Sequence, residues 1–289
     1  MRSNKLPVVA VTFLLLASSC GSSKKAGKDS SVLPGNWQST PIVIDGDNRD
    51  WPSPYPNYDS KAKVAYATSN DRKYIYITMQ TGDELTQMKM LKGGMVVYID
   101  TGGGKEETFS ISYPLENNST DLELPQGMDG QKDGGVQFEK QLAQRIRKGI
   151  EAANQFSIDG FPGCKGGYLI NQVVPCGIKL KARLDEYKEI VWEAAIPVKS
   201  LYNKDTLTAA DAGRPISVCF SIKGTKAPKG QGVQNANGGM NQMAGAGGSR
   251  NSAAMGGMPN SGGGKGTNPL EQLYSATKTR KQFSLVVQP

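Results

Sequence analysis

Apolar and polar side chains alternate with a period of two along much of the chain, which predicts β-strands. Turn-forming Gly, Asn and Asp residues separate these segments at short intervals. The predicted strands span residues 41–45, 62–68, 73–80, 94–100, 107–113, 178–184, 189–196, 215–222 and 282–287. We therefore predict an all-β fold, an antiparallel β-sandwich of about eight to ten strands.

One segment follows a helical period instead. Phe138, Leu142, Ile146 and Ile150 recur every four residues and predict an inserted amphipathic helix over residues 137–153. We expect this helix to pack on a sheet edge, which we favour over the alternative of a helix lying on a membrane surface.

Residues 224–268 are of low complexity and hold 14 of the 35 glycines and four of the ten methionines. This composition predicts a disordered Gly/Met/Asn-rich loop. The β-rich segment 282–287 follows it, so the loop is predicted to be an insert within one domain. Thioethers suit Cu(I), but the irregular spacing and the absence of His favour a plain flexible loop over a copper site at Met240, Met243, Met255 and Met258.

The N-terminus has the pattern of an export signal. Arg2 and Lys5 precede an apolar run over residues 8–17, which is shorter than the ~20 residues of a membrane-spanning helix. Ala17-Ser18-Ser19-Cys20 resembles a bacterial lipoprotein signal, which implies cleavage before Cys20 and a diacylglycerol on its thiol. An ordinary signal peptide with a nearby Cys is the alternative.

We therefore expect a signal peptide at 1–19, a lipidated flexible tether at 20–34 and a single sandwich domain at 35–289. The tether lysines, Lys24, Lys25 and Lys28, would contact anionic headgroups or simply be solvated. We expect a membrane partner through the lipid anchor and a place in the bacterial cell envelope, at the outer membrane. Because no acidic run follows Cys20, we favour an orientation that faces the periplasm.

Charge and composition exclude several classes of function and of chemical site. The net charge is +8, but residues 223–281 carry +7 and the signal and tether carry +2 each, which leaves the rest at −3. A mildly acidic folded part argues against nucleic-acid binding. The chain contains no His, which excludes Ser-His-Asp and Cys-His nucleophiles, His-ligated zinc and a proximal-His haem.

Four segments carry a family resemblance. They are residues 44–52 (IDGDNRDWP), Asn70-Asp71 before a Tyr-rich strand at 74–77, residues 94–100 (GMVVYID), and residues 192–197 (WEAAIP) followed by Leu201. Together they resemble the extracytoplasmic β-sandwiches of carbohydrate-binding module family 9 and DOMON-like domains. The resemblance implies a sandwich that binds sugars or, in some branches, haem. Because the chain contains no His, the axial ligands of a haem would have to be a Met/Met or Met/Lys pair.

Several residues are candidates for structural or binding roles. Asp45 and Gly46 begin a tight turn, Trp51 is a large apolar anchor over the sandwich, and Glu193 and Pro197 lie at the end of a strand. Sugars stack on exposed aromatic rings, while amides and carboxylates bind their hydroxyls. We predict that the loop aromatics Trp37, Tyr55 and Tyr58 contact a ligand, with packing onto the sandwich as the alternative.

Asp45, Asp47 and Asp50 form an acidic cluster whose hard oxygens suit Ca²⁺. The spacing is not that of an EF-hand, because Arg49 occupies a ligand position, and we favour turn capping. We expect no cofactor, with Ca²⁺ as the one candidate.

The cysteines divide into two kinds. Cys164 and Cys176 are predicted to form a disulfide in an exported protein. Cys219 lies in an apolar strand and is predicted to be a buried free thiol, with pairings that involve Cys219 as the alternative.

These observations support three functional hypotheses. The first is a non-catalytic, lipid-anchored envelope protein that binds a carbohydrate or envelope glycan. The second is an envelope lipoprotein that acts as an interaction or structural subunit for another protein. The third is a glycan-active hydrolase, since paired carboxylates can perform that chemistry, although no spacing in the sequence singles out a pair.

Overall fold

The computed structural model describes residues 32–115, 134–225 and 271–288. The predicted signal peptide, Cys20, the methionines of the insert and nearly all of the tether and insert lie outside these ranges. Leu33, which we assigned to the tether, donates its backbone N–H to Gln282 and accepts from Ser284. Contact with the sandwich is therefore already present at this residue.

Two antiparallel sheets form the fold, which confirms the predicted β-sandwich. One sheet has five strands in the order β1-β2-β3-β9-β8, and the other has six in the order β11-β10-β4-β5-β6-β7. The strands are β1 (Asn57–Asp59), β2 (Val64–Asn70), β3 (Tyr74–Thr81), β4 (Met95–Asp100), β5 (Phe109–Tyr113), β6 (Gln155–Asp159), β7 (Gly166–Leu169), β8 (Lys179–Leu184), β9 (Ile190–Pro197), β10 (Pro215–Ile222) and β11 (Thr277–Ser284).

The helices are α1 (Glu84–Gly93), α2 (Gly134–Ala152), α3 (Val198–Tyr202) and α4 (Glu271–Tyr274). The predicted amphipathic helix is α2, and its stripe residues Leu142 and Ile146 are buried in the main core. None of the helices in the described ranges is both long and apolar enough to cross a membrane.

Helix α1 was not predicted. Its buried residues include Thr86, Gln87 and Lys89 beside Met88, Met90 and Leu91. This mixture removes the apolar stripe by which a helix is recognised. The side-chain amide of Gln87 donates to the carbonyls of Thr81 and Lys188, at 2.8 and 2.9 Å, which satisfies its burial.

The strand predicted at 41–45 is wrong. Ile42 is buried and Val43 is 60 % exposed, as in a strand, but this stretch joins neither sheet. It belongs instead to residues 41–58, which cross the outer face of the five-stranded sheet and end in its edge strand β1. We call these residues the cover segment. The last strand also differs from prediction, since β11 begins at Thr277 and ends at Ser284.

The main core lies between the sheets, and a second cluster lies on the opposite face of the five-stranded sheet. This second cluster contains Ile42, Trp51, Ala67, Tyr76 and Ala195. Because the cover segment packs there, β9 is buried on both faces from Ile190 to Ile196. The predicted disulfide between Cys164 and Cys176 is present, and Cys219 is a buried free thiol, as predicted.

Candidate functional site

The cover segment opens with a turn that only a glycine fits well. Gly46 has φ +81°, and a Cβ at this position would lie 2.8 Å from Cγ of Arg183. Positive φ favours glycine because it has no Cβ. The turn brings the Gly46 backbone N–H over β9, and a short 3₁₀ helix at Asn48–Asp50 then leads to Trp51.

Glu193 fastens the cover segment to the sheet. Its Oε2 accepts from the Gly46 N–H at 2.7 Å, and its Oε1 accepts from the Trp51 Nε1–H at 2.5 Å. We call Gly46, Trp51 and Glu193 the Glu193 clamp. The carboxyl is fully buried, and this burial raises the pKa of Glu193 to about 7 even though both hydrogen bonds favour the charged form.

The clamp contains three of the five residues that the sequence suggested as structural, and a fourth is adjacent to it. Asp45 precedes Gly46 in the turn, and Trp51 and Glu193 meet through their side chains. Pro197 lies elsewhere, at the end of β9, where it pairs with Tyr74. The structure therefore brings two distant sequence segments, residues 44–52 and 192–197, into one hydrogen-bonded group.

The three candidate calcium ligands have other hydrogen-bonding roles. Asp45 accepts from the Asp47 N–H at 2.8 Å, and Asp50 accepts from the Val43 N–H at 3.0 Å. Asp47 forms ion pairs with Arg49 and Arg183, at 2.7 and 3.2 Å. The hydrogen bonds with Arg49 lower the pKa of the Asp47 carboxyl. Within the described ranges, no group of three acidic or cysteine side chains converges as a metal site would require.

The end of the cover segment forms one wall of a cleft of about 510 Å³. Tyr55 and Tyr58, both predicted ligand contacts, line it together with Tyr187 from the β8–β9 turn. Tyr58 is 63 % exposed and Tyr187 is 75 % exposed, so both side chains are accessible to a ligand. We call this site the tyrosine cleft.

Tyr55 is the half-buried member of the three tyrosines. Its hydroxyl lies 3.2 Å from Oγ1 of Thr78, which is opposite Glu193 on the neighbouring strand. Burial raises the pKa of Tyr55 to about 12, so the phenol stays neutral and keeps its proton for hydrogen bonding. Tyr55 therefore extends from the cleft to the strand position that pairs with Glu193.

A connected row of polar side chains forms another part of the cleft wall. The Asn48 amide donates to Gln80 Oε1 at 3.3 Å, and Gln80 Nε2 donates to carboxylate oxygens of Asp185 and Glu189. Asp83 and Lys63 also line the cleft. Amides and carboxylates held in a row beside aromatic rings can bind sugar hydroxyls while the rings contact apolar sugar faces.

Sequence reasoning was incomplete at this site in two respects. Trp37 does not lie in the cleft, because it forms a bridge with Asn70, five residues or ~16 Å along β2 from the cleft residue Ala65. Tyr187 was missed because it lies in a polar turn (DEYKE) whose position beside Tyr58 depends on the fold. An aromatic residue in an otherwise charged turn is the signal that could have found it.

No model of a known protein family matches the chain, and no curated protein matches it either. The candidate site is therefore argued from its own residues alone. These are the buried Glu193 clamp and the exposed rings and polar row of the tyrosine cleft.

Proposed function

We propose that this protein is a lipid-anchored protein of the bacterial cell envelope that binds a carbohydrate without transforming it. The observation that carries the proposal is the tyrosine cleft. Large exposed aromatic rings that gather in a concave site are typical of ligand recognition. Two of the largest exposed apolar side chains in the described ranges, Tyr58 and Tyr187, line the same cleft.

The lining suits the two surfaces of a sugar ring. The CH-bearing face would pack on Tyr58 or Tyr187, whose rings are rigid and lose little conformational entropy on binding. The hydroxyls would exchange hydrogen bonds with Gln80, Glu189 and Asn48, which already form a connected row. A preformed row needs little rearrangement when a ligand displaces water from it.

The charges favour a class of glycan. Asp83 and Glu189 line the cleft with one cation, Lys63. Two carboxylates against one ammonium disfavour uronic acids and other anionic sugars, since unlike charges attract and like charges repel. We expect neutral or amine-bearing glycans to bind better than acidic ones.

The arrangement of the carboxyls supports binding rather than hydrolysis. A glutamate with a raised pKa is typical of a general acid, and Glu193 has that property. Glu193, however, is 0 % exposed beneath Trp51, so it cannot contact a glycosidic oxygen. The two carboxylates that line the cleft are already hydrogen-bonded within the protein. Asp83 accepts hydrogen bonds from the Thr86 N–H and Oγ1–H, and Glu189 accepts from Gln80. The cleft therefore favours binding over hydrolysis.

The proposed location in the cell envelope is inferred from the sequence. Lipidation of Cys20 would hold the domain at the membrane through its acyl chains, each contributing ~0.8 kcal/mol per buried CH₂. The tether would then let the tyrosine cleft reach glycans in the periplasm.

A glycan array tests this proposal. The full chain, purified in detergent, is applied to neutral, amino and uronic-acid polysaccharides and to peptidoglycan, and soluble products are analysed for new reducing ends. We expect retention on a neutral or amine-bearing glycan, loss of retention in Y58A/Y187A, and no new reducing ends. Retention on none of them would contradict the proposal, and new reducing ends would favour the hydrolase hypothesis.

A further inference from the structure

One edge of the five-stranded sheet, strand β8, carries a second concave surface, remote in sequence from Tyr55 and Tyr58. Strand β8 pairs with β9 on one side, and no described strand pairs with its other side. An unpaired edge presents backbone N–H and C=O groups to any extended chain that approaches it. Such an edge is a potential docking site for another strand.

A groove runs along this edge. Two depressions of about 590 and 600 Å³ adjoin on β8 and share Ile170, Asn171 and Lys181. Between them they include every residue of β8, so the groove is ~17 Å long, the length of a strand of five or six residues. The opposite wall comes from α2 and from the loop that contains Val173, which is 90 % exposed. We call this surface the β8 groove.

The two faces of β8 differ in character. Leu180 and Ala182 are buried toward the core, whereas Lys179, Lys181 and Arg183 point to the outer face. Arg183 is paired with Asp47, but Lys179 and Lys181 form no ion pair with any described residue. Arg147 and Lys188, which also line the groove, are likewise without an ion pair there. Three carboxylates, Asp45, Glu151 and Asp185, line the groove against these five cations. An added strand would therefore meet a surface of net positive charge, together with the apolar side chains of Ile170 and Val173.

We propose that the β8 groove binds an extended segment of a partner protein in which acidic and apolar residues alternate, by addition of a strand to β8. Main-chain hydrogen bonds give affinity in this mode of recognition, and alternate side chains give specificity. Acidic side chains of the partner lie beside Lys179 and Lys181, and its apolar side chains contact Val173 and Ile170. A second copy of this chain is a poorer occupant, because two paired β8 strands would bring their basic rows together.

The probe is a synthetic peptide of about eight residues that alternates Asp and Val, since added strands of this length are common. Its binding to the full chain in detergent is measured by fluorescence anisotropy, beside a Lys/Val peptide of the same length. We expect the Asp/Val peptide to bind and the Lys/Val peptide to bind at least tenfold more weakly. No binding of the Asp/Val peptide would overturn the proposal.

Variants and modified peptides separate strand addition from simple charge attraction. K179E/K181E is expected to weaken binding about tenfold, whereas K105E, a charge reversal in the exposed β4–β5 turn, alters it less than twofold. N-methylation of alternate peptide residues blocks one hydrogen-bonding edge, so one frame should abolish binding and the other preserve it. Equal effects of the two frames, equal effects of K105E and K179E/K181E, or a β8-dependent dimer at the peptide concentrations used would each overturn the proposal.

Discussion

Trp51 and Tyr58 belong to the same cover segment, yet their environments are opposite. Trp51 is 5 % exposed, and its indole N–H donates to Glu193 inside the second hydrophobic cluster. Tyr58 is 63 % exposed, and it lines the tyrosine cleft from the edge strand β1. One part of the segment therefore fixes the segment to the sheet, and the other part presents an aromatic ring to solvent.

The difference separates two roles that sequence alone does not distinguish. An aromatic residue in a loop can anchor the loop or contact a ligand. Here the anchor has a buried polar partner for its N–H, as buried Trp usually does, whereas the exposed ring lines a cleft together with a second exposed ring, Tyr187. Changes at the anchor should therefore alter folding, and changes at the exposed rings should alter binding alone.

The largest expected effect is at the anchor. W51A removes the centre of the second cluster and leaves the buried Glu193 carboxyl without one of its two donors. We expect the free energy of unfolding to fall by about 3–5 kcal/mol, as in other buried Trp or Phe truncations, measured by urea denaturation. The control V43A, in the same segment but exposed, should change it by less than ~1 kcal/mol. Equal effects of W51A and V43A would contradict the anchoring role.

The next effect depends on pH. Because the pKa of Glu193 is about 7 in the folded protein against 4.5 for an ordinary Glu, the folded state binds the proton more tightly. The stabilisation from this site is therefore fully present below pH ~4.5 and is lost as the pH rises through ~7, by roughly 3 kcal/mol. Relative to E193Q, the wild type should lose stability over this range.

The pH effect is measured as urea-unfolding free energies of wild type and E193Q at a series of pH values. E186Q makes the same chemical change in the exposed β8–β9 turn and controls for the loss of one surface carboxylate. A wild type that instead gains stability relative to E193Q as the pH rises would show that the two hydrogen bonds outweigh burial at this carboxyl.

The smallest expected change in free energy is at the exposed rings. Y58A and Y187A should each weaken glycan binding about tenfold, or ~1.4 kcal/mol, while the unfolding free energy changes by less than ~1 kcal/mol because both side chains are exposed. Isothermal titration with the glycan retained on the array measures this. Y58W, which keeps an aromatic face, should retain most of the affinity. A loss of binding that only accompanies unfolding would remove the distinction between the two parts of the cover segment.

The sequence predicted the strands of the two sheets better than the cover segment that packs on one of them. Long alternating segments such as 215–222 became strands because their apolar face, here Ile216, Val218, Phe220 and Ile222, packs in the main core. The segment 41–45 also alternates, but it packs on a sheet face instead of pairing at an edge, and periodicity does not distinguish these cases. Strand β6 was missed although Phe156 and Ile158 alternate with polar neighbours.

The candidate site was only partly predictable for a related reason. Tyr55 and Tyr58 are close together in the sequence, so their common location needed no tertiary information. Glu193 meets Trp51 from 142 residues away, and Tyr187 joins the cleft through the β8–β9 turn. Contacts of this kind follow from strand order, which a pattern of apolar residues does not specify.

The central claim is that the tyrosine cleft binds the glycan, and ¹⁹F NMR of the full chain in detergent tests it most directly. Tyrosines are replaced by 3-fluorotyrosine, the signals are assigned with single Tyr→Phe variants, and the retained glycan is titrated in. We predict that the signals of Tyr58 and Tyr187 shift with the same affinity, while that of Tyr98, half-buried on the six-stranded sheet, stays unchanged. Saturable binding that shifts other tyrosines and leaves Tyr58 and Tyr187 unmoved would contradict the account.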